Sequence, residues 1–492
     1  MYIDPMELDR AACYRAVCSR DPRFDGMFFT GVTTTGIYCR PVCPARTPHA
    51  RNCIFFPSAA AAAAAGLRPC LRCRPETSPG SPAWQGTGAV VGRALRLIDE
   101  GALDGGGVED LAHRLGVGGR QLRRLFTAHL GASPREVGMA RRLDLARRLL
   151  VETDLEIGRI AATAGFGSSR RFHEAATRAW GCPPSTIRGG RRGRVAPPAN
   201  GDLELRLAYR PPYSWEDQLR WLKPRAIPGV ESVIDRTYRR TIAAGGTAGH
   251  LAVTADPGGD ALRLRVSPGL IPELRRIVAR VRAMFDLDAD PAAIGRALGG
   301  DPFLGPLLER RPGLRLPGSW DPFEAAVRAV LGQQISVVAA TTLAGRVAAA
   351  WGGSASGSDG AVLFPEPAAL ADAPLERCGV IRSRAEVIRT LARSVLAGAL
   401  DLGPAANPAG IPARLRALRG IGPWTAEYVA LRGWSVPDVF PAGDLGLRKA
   451  CSAGGSLLSE SAVRDLAARW SPWRSYAAVH LWASLGDAEP GA

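Results

Sequence analysis

Four cysteines near the start of the chain have the spacing of a metal site. Three residues separate Cys39 from Cys43, and two residues separate Cys70 from Cys73. Zinc is bound by four thiolates in tetrahedral geometry, and such sites are commonly built from two short-spaced pairs. The sequence therefore predicts one zinc ion held by these four side chains. Three cysteines of the same region lack such a neighbour and are expected to be small core residues: Cys13, Cys18 and Cys53.

A second group of chemically useful residues lies between Leu415 and Asp444. Gly420 and Gly422 separate two predicted helices, and a glycine hairpin lets backbone N–H groups approach a DNA phosphate. Trp424 and Tyr428 are four residues apart, so they share one helix face and can form an aromatic wall. Ordinary core packing is the alternative for this pair. The alternative for Asp444 is an N-cap, which is compatible with catalysis.

Two segments have the helix-turn-helix pattern, Val108–Leu130 and Leu155–Trp180. In each, an arginine-rich second helix follows a turn with glycine, and such a helix can enter the major groove with its first turn against the bases. Four arginines lie on the helix that connects them: Arg141, Arg142, Arg147 and Arg148. A solvated surface is the alternative for any single arginine. The predicted DNA contacts are Arg120, Arg123, Ser168, Ser169, Arg170 and Arg171.

The charge of the chain also favours a nucleic-acid partner. The 492 residues carry a net charge of +17, and lysine occurs only twice, so arginine supplies nearly all of the positive charge. Residues 1–200 carry +12 and the remainder only +5. Arginine suits bidentate contacts to phosphates and bases, so DNA is the expected partner. A genome biased toward arginine codons is the alternative.

The sequence argues against a membrane-spanning protein and against a secreted one. The sequence has no run of about 18 apolar residues, and it does not begin with the basic and apolar regions of a secretory signal. We therefore expect no membrane partner and a cytoplasmic protein, associated with the nucleoid when on DNA. Its cysteines should be reduced, which favours metal or nucleophilic roles over disulfides.

The motifs of the first half carry two family resemblances. The strings TTGIYCRPVCPAR and GLRPCLRC resemble the amino-terminal zinc domain of the Ada family. This implies that Cys39 is a zinc-bound nucleophile that accepts a methyl group from a DNA methylphosphotriester, with a purely structural ligand as the alternative. The string AGFGSSRRFHEAATRAWGCPPS resembles AraC-type DNA-binding domains, although Gly118 replaces the usual capping serine. Promoter DNA is then a partner, and RNA polymerase a candidate one.

The second half resembles AlkA-type 3-methyladenine DNA glycosylases of the helix–hairpin–helix superfamily, through DPFEAAVRAVLGQQIS, GIGPWTA and WRSYAAVHLW. The resemblance implies that Asp444 is the catalytic carboxylate. The implied base pocket is Trp424, Tyr428 and Trp482. The implied DNA contacts are Gly420 and Gly422, through a monovalent or other metal ion at the phosphate, and Gln333 and Gln334. Gln334 stands where the family presents an apolar wedge.

Three absences limit the expected chemistry. Trp424 occupies the position at which bifunctional relatives carry a Schiff-base lysine, so a monofunctional glycosylase is expected. No four-cysteine cluster occurs at the carboxyl end, which argues against an iron–sulfur cluster. No PCHR motif occurs either, so repair of O6-alkylguanine is not expected.

The resulting prediction is a multidomain protein that is mostly α, with an α+β part. Linker-like breaks and the motifs divide the first part of the chain into an Ada-like four-cysteine domain at 1–80 and an all-α domain with two helix-turn-helix units at 88–189. A basic linker follows at 190–201. The second part contains an AlkA-like α+β subdomain at 202–315 and an all-α helix–hairpin–helix glycosylase domain at 316–488. The predicted function is excision of alkylated purines fused to methylphosphotriester-dependent transcription regulation. Two alternatives stay open: a glycosylase whose front half only tethers it to DNA, and a regulator with an inactive glycosylase scaffold.

Overall fold

The computed structural model describes most of the chain and divides it into two compact units. The described residues are 9–73, 75, 88–189, 201–355, 360–452 and 455–486. The first unit holds the described part of 1–211 with 256–279 and 287–289, and the second holds 212–255, 280–286 and the described part of 290–492. Of the predicted basic linker, all but the last residue lies outside the described residues.

The front region combines a small sheet with two helices. Its elements are α1 (Arg10–Ser19), β1 (Phe29–Val32), β2 (Ile37–Cys39), β3 (Cys53–Phe56), α2 (Ala59–Ala64) and β4 (Arg68–Pro69). The strand order is β3-β1-β2-β4, and the pairing of β2 with β4 is parallel, with Tyr38 opposite Pro69. Phe29 and Tyr38 are buried against the sheet and meet edge to face. This pairing places the residue after β4, Cys70, beside the end of β2, Cys39.

Seven helices follow and form the two predicted helix-turn-helix units. They are α3 (Gly88–Asp99), α4 (Val108–Leu115), α5 (Gly119–Leu130), α6 (Pro134–Glu152), α7 (Ile157–Thr163), α8 (Ser169–Trp180) and α9 (Pro184–Gly189). The long connecting helix α6 begins with a capping box, in which Ser133 and Glu136 each bind the backbone N–H of the other. Phe126 of α5 and Phe172 of α8 are fully buried, so each second helix is anchored by an equivalent aromatic side chain.

The next region contains strands as well as helices, as expected for the α+β part of the fold. Its elements are β5 (Leu203–Ala208), α10 (Trp215–Leu222), β6 (Glu231–Ile234), β7 (Thr237–Ala244), β8 (Thr247–Ala255), β9 (Ala261–Val266) and α11 (Leu274–Met284). In the first unit, β5 pairs antiparallel with β9, with Arg206 opposite Arg263. In the second unit, β6, β7 and β8 form an antiparallel meander. Alternate side chains of β5 are buried, as expected for a strand with one core face.

The remaining region is helical, as predicted. Its helices are α12 (Pro291–Leu298), α13 (Gly305–Arg310), α14 (Pro322–Leu331), α15 (Val337–Trp351), α16 (Pro367–Leu370), α17 (Arg382–Leu396), α18 (Ile411–Arg416), α19 (Pro423–Trp434), α20 (Leu445–Cys451), α21 (Glu460–Ala468) and α22 (Arg474–Leu485). Side-chain caps begin several of them, among them Asp321, Ser336 and Asp444. Among the described residues, no helix has both the length and the apolar character needed to cross a bilayer. The multidomain, mainly α prediction is confirmed.

A buried ionic cluster joins the meander to α14 in the second unit. Arg240 donates to Glu324 at 2.8 Å, and Arg328 lies 2.9 Å from Glu231 and 3.1 Å from Glu324. Tyr238 donates to Glu231 at 2.6 Å. Burial raises the pKa of Glu231, but Arg328, Arg240 and the Tyr238 hydroxyl outweigh it and hold that pKa at about 2. Glu231 is therefore a buried carboxylate that folding keeps ionised.

Candidate functional site

The four predicted zinc ligands come together in the first unit. The sulfur atoms of Cys39, Cys43, Cys70 and Cys73 all lie within 4.8 Å of one another. The Sγ atoms of Cys43 and Cys70 are 3.9 Å apart, which fits the edge of about 3.8 Å expected for a tetrahedron with Zn–S bonds of about 2.3 Å. The donor set and its size therefore fit a zinc ion.

The surroundings of the cysteine cluster are asymmetric. Cys70 and Cys73 are buried, whereas Cys39 and Cys43 are partly exposed. The backbone N–H of Arg40 donates to the Cys73 sulfur at 3.3 Å, and such bonds stabilise a thiolate. The Arg40 side chain binds the buried Asp25 carboxylate and the Cys73 carbonyl, which fixes the loop after β2. Cys39 is thus a partly exposed residue directly before the loop that Arg40 holds in place.

The other cysteines of the front region do not join this cluster. Cys13 and Cys53 are buried, as predicted, and burial, with a smaller contribution from Asp9, raises the pKa of Cys13 to about 12. Cys18 is exposed, so the expectation that it lies in the core was wrong. It lies in the last turn of α1, on the face of the helix turned away from the buried residues Cys13 and Val17.

The residues predicted to contact DNA lie on the exposed first turns of α5 and α8. Arg120, Ser169 and Arg171 are exposed. Arg123 is held 2.6 Å from Glu109, and Arg170 is 3.0 Å from Glu174, in pairs exposed enough to open. Ser168 caps α8 by accepting from the Arg171 N–H, whereas Gly118 gives α5 no side-chain cap. Contact of these six residues with DNA stays a prediction.

The glycine hairpin between α18 and α19 has the expected shape. Gly420 has a φ of +90°, and a Cβ there would collide with Val387 of α17, so both conformation and space require glycine. Gly422 is exposed, precedes α19 as its N-cap and faces open space. Its N–H and those of Trp424 and Thr425 face the start of the helix, where an anion can bind, whereas Pro423 has no N–H to offer.

Gln333 and Gln334 have different environments although they are neighbours in the turn between α14 and α15. The Gln333 side-chain amide donates to the Gly420 carbonyl and to the Thr425 hydroxyl, each at 3.0 Å, and so braces the hairpin. Gln334 is exposed and has a φ of +57°. A left-handed glutamine is unusual, and such conformations are often found at functional sites.

The Asp444 carboxylate is held by the aromatic residues around it. Trp424 Nε1 donates to Oδ2 and Trp482 Nε1 donates to Oδ1, each at 2.9 Å. The Leu447 N–H donates to Oδ1 at 3.0 Å, because Asp444 is also the N-cap of α20. Three N–H groups therefore orient a partly exposed carboxylate; the capping interpretation is confirmed, and the catalytic role stays a prediction.

Four aromatic rings adjoin this carboxylate. Trp424 stacks on Tyr428 with centroids 5.4 Å apart, and Tyr428 meets Trp482 edge to face at 6.1 Å. Trp221 of α10 lies 5.3 Å from Trp482 and was missed by the sequence reasoning. Its only sequence signal is that it follows another tryptophan, Trp215, by six residues. Among the described residues its buried indole N–H has no hydrogen-bond partner, which leaves a donor beside the rings.

Arginines line the far side of the aromatic group. The Arg225 guanidinium lies 3.6 Å above the Trp221 ring, and Arg432 donates to the Tyr428 hydroxyl at 2.9 Å. Burial raises the pKa of Tyr428, but Arg432, Arg225 and Arg328 together bring it below its ordinary value. A more acidic phenol is a stronger hydrogen-bond donor. The rings thus combine a stacking surface with polarised edges.

Family models cover the chain in the order expected from its motifs. The metal binding domain of Ada matches residues 12–76, and a helix-turn-helix domain matches 111–190. The AlkA N-terminal domain matches 204–321, and the HhH-GPD superfamily of base excision DNA repair proteins matches 327–474.

One named relative matches nearly the whole chain, and two others match parts of it. The chain is 43% identical, over 98% of its length and 97% of the relative's, to the "Probable bifunctional transcriptional activator/DNA repair enzyme AlkA" of Mycobacterium tuberculosis. It is 37% identical over 57% of its length, and 97% of the relative's, to "DNA-3-methyladenine glycosylase 2" of Escherichia coli. It is 34% identical over 39% of its length, and 52% of the relative's, to "Bifunctional transcriptional activator/DNA repair enzyme Ada" of Escherichia coli.

Proposed function

Because the chain belongs to the family of bifunctional transcriptional activator/DNA repair enzymes AlkA, we propose that it excises alkylated purines and regulates transcription in response to methylated DNA. One observation carries the first activity: two indole N–H groups of the aromatic cluster hold the Asp444 carboxylate. The same residues thus receive a base and aim the reactive group. The proposed excision rests on the repair half, residues 202–488. The proposed regulatory activity rests on the cysteine cluster and the helix-turn-helix units.

The proposed excision is hydrolysis of the N-glycosidic bond of a flipped 3-methyladenine or related purine. An alkylated purine is cationic, and the faces of Trp424, Tyr428 and Trp482 attract it more than a normal base. Such a base leaves readily, so a strong general acid is unnecessary. Asp444 then stabilises the positive charge that develops on the sugar, or activates the water that attacks it. Without a lysine at the Trp424 position, the reaction ends at the abasic site.

The proposed DNA grip uses the hairpin. The Gly422 N–H and the first turn of α19 would bind a phosphate next to the flipped nucleotide. Among the described residues, the one group of three or more cysteine, histidine or acidic side chains arranged for a metal is the cysteine cluster. An ion at the hairpin would therefore have to use backbone carbonyls, and it stays a prediction.

The proposed sensing reaction takes place at Cys39. A bound zinc ion would keep the four thiols deprotonated and the sulfurs nucleophilic. The Cys39 sulfur attacks the methyl carbon of a methylphosphotriester, an S–CH3 bond forms, the O–CH3 bond breaks, and an ordinary phosphodiester leaves. The cluster loses one negative charge, which favours its contact with DNA phosphates. Recruitment of RNA polymerase to a promoter stays a prediction.

Two substitutions test this proposal, and each is a control for the other. Asp444→Asn keeps an N-cap side chain for α20 but removes the charge, so release of 3-methyladenine should fall at least about a thousandfold while DNA binding persists. Cys39→Ser should abolish transfer of a labelled methyl group from phosphotriester DNA and leave base release intact.

Each remaining alternative has its own outcome. Unchanged base release by Asp444→Asn would refute the catalytic assignment, and no release by the unaltered protein would favour the inactive scaffold. Label transfer that survives in Cys39→Ser would refute the acceptor assignment. Transfer without any sequence preference in DNA binding would favour a front half that is only a tether.

A further inference from the structure

Three arginines of the connecting helix α6 are largely withdrawn from solvent. Arg147 and Arg148 are buried, and Arg142 has most of its side chain covered. Instead, α6 lies against β5, the strand at the edge of its sheet. The Arg206 N–H donates to the Glu152 carboxylate at 3.1 Å, and the Arg206 carbonyl accepts from Arg148. Two side chains of the regulatory half, residues 1–189, thus bind the outward N–H and carbonyl of Arg206 in β5, the edge strand of the repair half.

A second contact lies beside the first, at Asp104 in the loop between α3 and α4. One oxygen of this carboxylate is 2.9 Å from Arg142 Nε of α6 and 2.5 Å from Arg275 Nη1 of α11. Arg275 also donates to the Ile98 carbonyl at the end of α3. Arg275 belongs to the stretch that matches the AlkA N-terminal domain, and only a tenth of its side chain is exposed.

Asp104 also touches the second helix-turn-helix unit. A Cβ at Gly165, in the turn between α7 and α8, would collide with the Asp104 carboxylate. Gly165 has a φ of +87°, which a side chain would also oppose. Asp104, in the loop before the first helix-turn-helix unit, thus contacts the connecting helix α6 and the turn of the second helix-turn-helix unit. Arg275 binds the same carboxylate from the repair half.

We propose that the edge of β5 and Arg275 form a docking surface in the repair half for the helix-turn-helix block. The occupant is α6 with the Asp104 loop, recognised by charge and by backbone hydrogen bonds. A peptide linker alone would not require a buried Arg275 or a covered β5 edge. The two halves therefore stay associated when the chain is cut between them, and the alignment of the two helix-turn-helix units depends on a residue outside them.

A cleavable full-length chain tests the docking surface. A protease recognition sequence is inserted between residues 190 and 200, the chain is cut, and association of the halves is measured by gel filtration over a dilution series. We expect co-elution at low micromolar concentration. Arg275→Glu should weaken the association at least about tenfold, because it sets two carboxylates against each other. The control is Arg276→Glu, the same charge change on the neighbouring residue of α11, which should leave the association unchanged.

The outcomes decide the proposal without reference to excision or methyl transfer. Restored association in the double variant Asp104→Arg with Arg275→Glu would support the docking surface, because a misfolded single variant would not be rescued. Glu152→Ala provides a milder second disruption at the β5 contact. Separation of the halves of the unaltered chain would overturn the proposal, as would equal effects of Arg275→Glu and Arg276→Glu.

Discussion

The cysteine cluster and the Asp444 cluster are assembled in opposite ways. The four cysteines lie within 35 consecutive residues, Cys39–Cys73, and one strand pairing brings the two pairs together. Asp444 depends on Trp424 from α19, Trp482 from α22 and, beyond them, Trp221 from α10. The first site is local in sequence, and the proposed methyl transfer would occur once there, because it leaves the sulfur methylated. The second site is dispersed in sequence, and the proposed excision would leave Asp444 unchanged and able to turn over.

This difference shows what each chemistry demands of the fold. A metal ion supplies its own charge and organises its ligands, so a short region with little core suffices. A carboxylate that must stabilise a cationic sugar needs a preorganised environment, which a large helical core can supply. The two sites should therefore respond differently to metal removal, acid and loss of single hydrogen bonds.

The largest expected difference is the response to metal removal. Treatment of the full-length protein with a chelator should abolish methyl transfer from phosphotriester DNA, because the thiols are then protonated and the loop is no longer held. Release of 3-methyladenine should stay within about twofold of the untreated protein, because distant sites act independently. Both rates are measured on one preparation before and after zinc is restored. A parallel loss of base release would show that the sites are not independent.

Acid should destabilise the second compact unit, whose core contains the ionised Glu231 carboxylate. The pKa of Glu231 in the folded protein is about 2, below its ordinary value of 4.5. Its stabilisation, on the order of 3 kcal/mol, is present above pH 4.5 and is lost as the pH falls toward 2. Thermal unfolding from pH 6 to pH 2 checks this in the unaltered protein and in Glu231→Gln. An equally steep acid dependence in both proteins would contradict the assignment.

Removal of one indole N–H from Asp444 should have a smaller effect. Trp482→Phe keeps a ring but deletes the donor to Oδ1, and a hydrogen bond to a charged group contributes about 1.5–3 kcal/mol, so base release should fall about 10- to 100-fold. Trp351→Phe is the matched control, because among the described residues that indole N–H has no hydrogen-bond partner. Single-turnover rates distinguish the two, and equal rates would remove Trp482 from the mechanism.

The smallest effect is expected at Tyr428. Tyr428→Phe keeps the stacked face toward Trp424 and loses the hydroxyl that accepts from Arg432. Arg432 is charged but keeps its bonds to the Pro317 and Gly318 carbonyls, and the lost hydroxyl does not bind Asp444, so base release should fall only about fivefold. Tyr428→Leu, which removes the ring, should cost much more. If the two variants behaved alike, the hydroxyl and not the stacked face would be the important part.

Predictability from the sequence follows the same division. Ligand spacing identified all four cysteines, and Gly420, Gly422 and Asp444 lie where the hairpin pattern and the capping interpretation put them. The contribution of Trp221 depends on its packing against Trp482, 261 positions later in the sequence, and no local pattern encodes such a contact. The arginines of α6 had the composition of a DNA-binding surface, but Arg142 instead binds Asp104 and Arg148 binds the backbone of β5. Local chemistry was readable, whereas partners set by tertiary packing were not.

The number of hydrogen-bond acceptor positions on Asp444 limits how many further groups its carboxylate can bind at one time. An ionised carboxylate offers about four lone-pair positions. The described residues use two on Oδ1, for Trp482 and Leu447, and one on Oδ2, for Trp424. One direction on Oδ2 is left, which is enough for a single water molecule or for the anomeric centre of the sugar, and too little for both together. In the proposed reaction, this single free acceptor position would make departure of the base and capture of water successive events at Asp444.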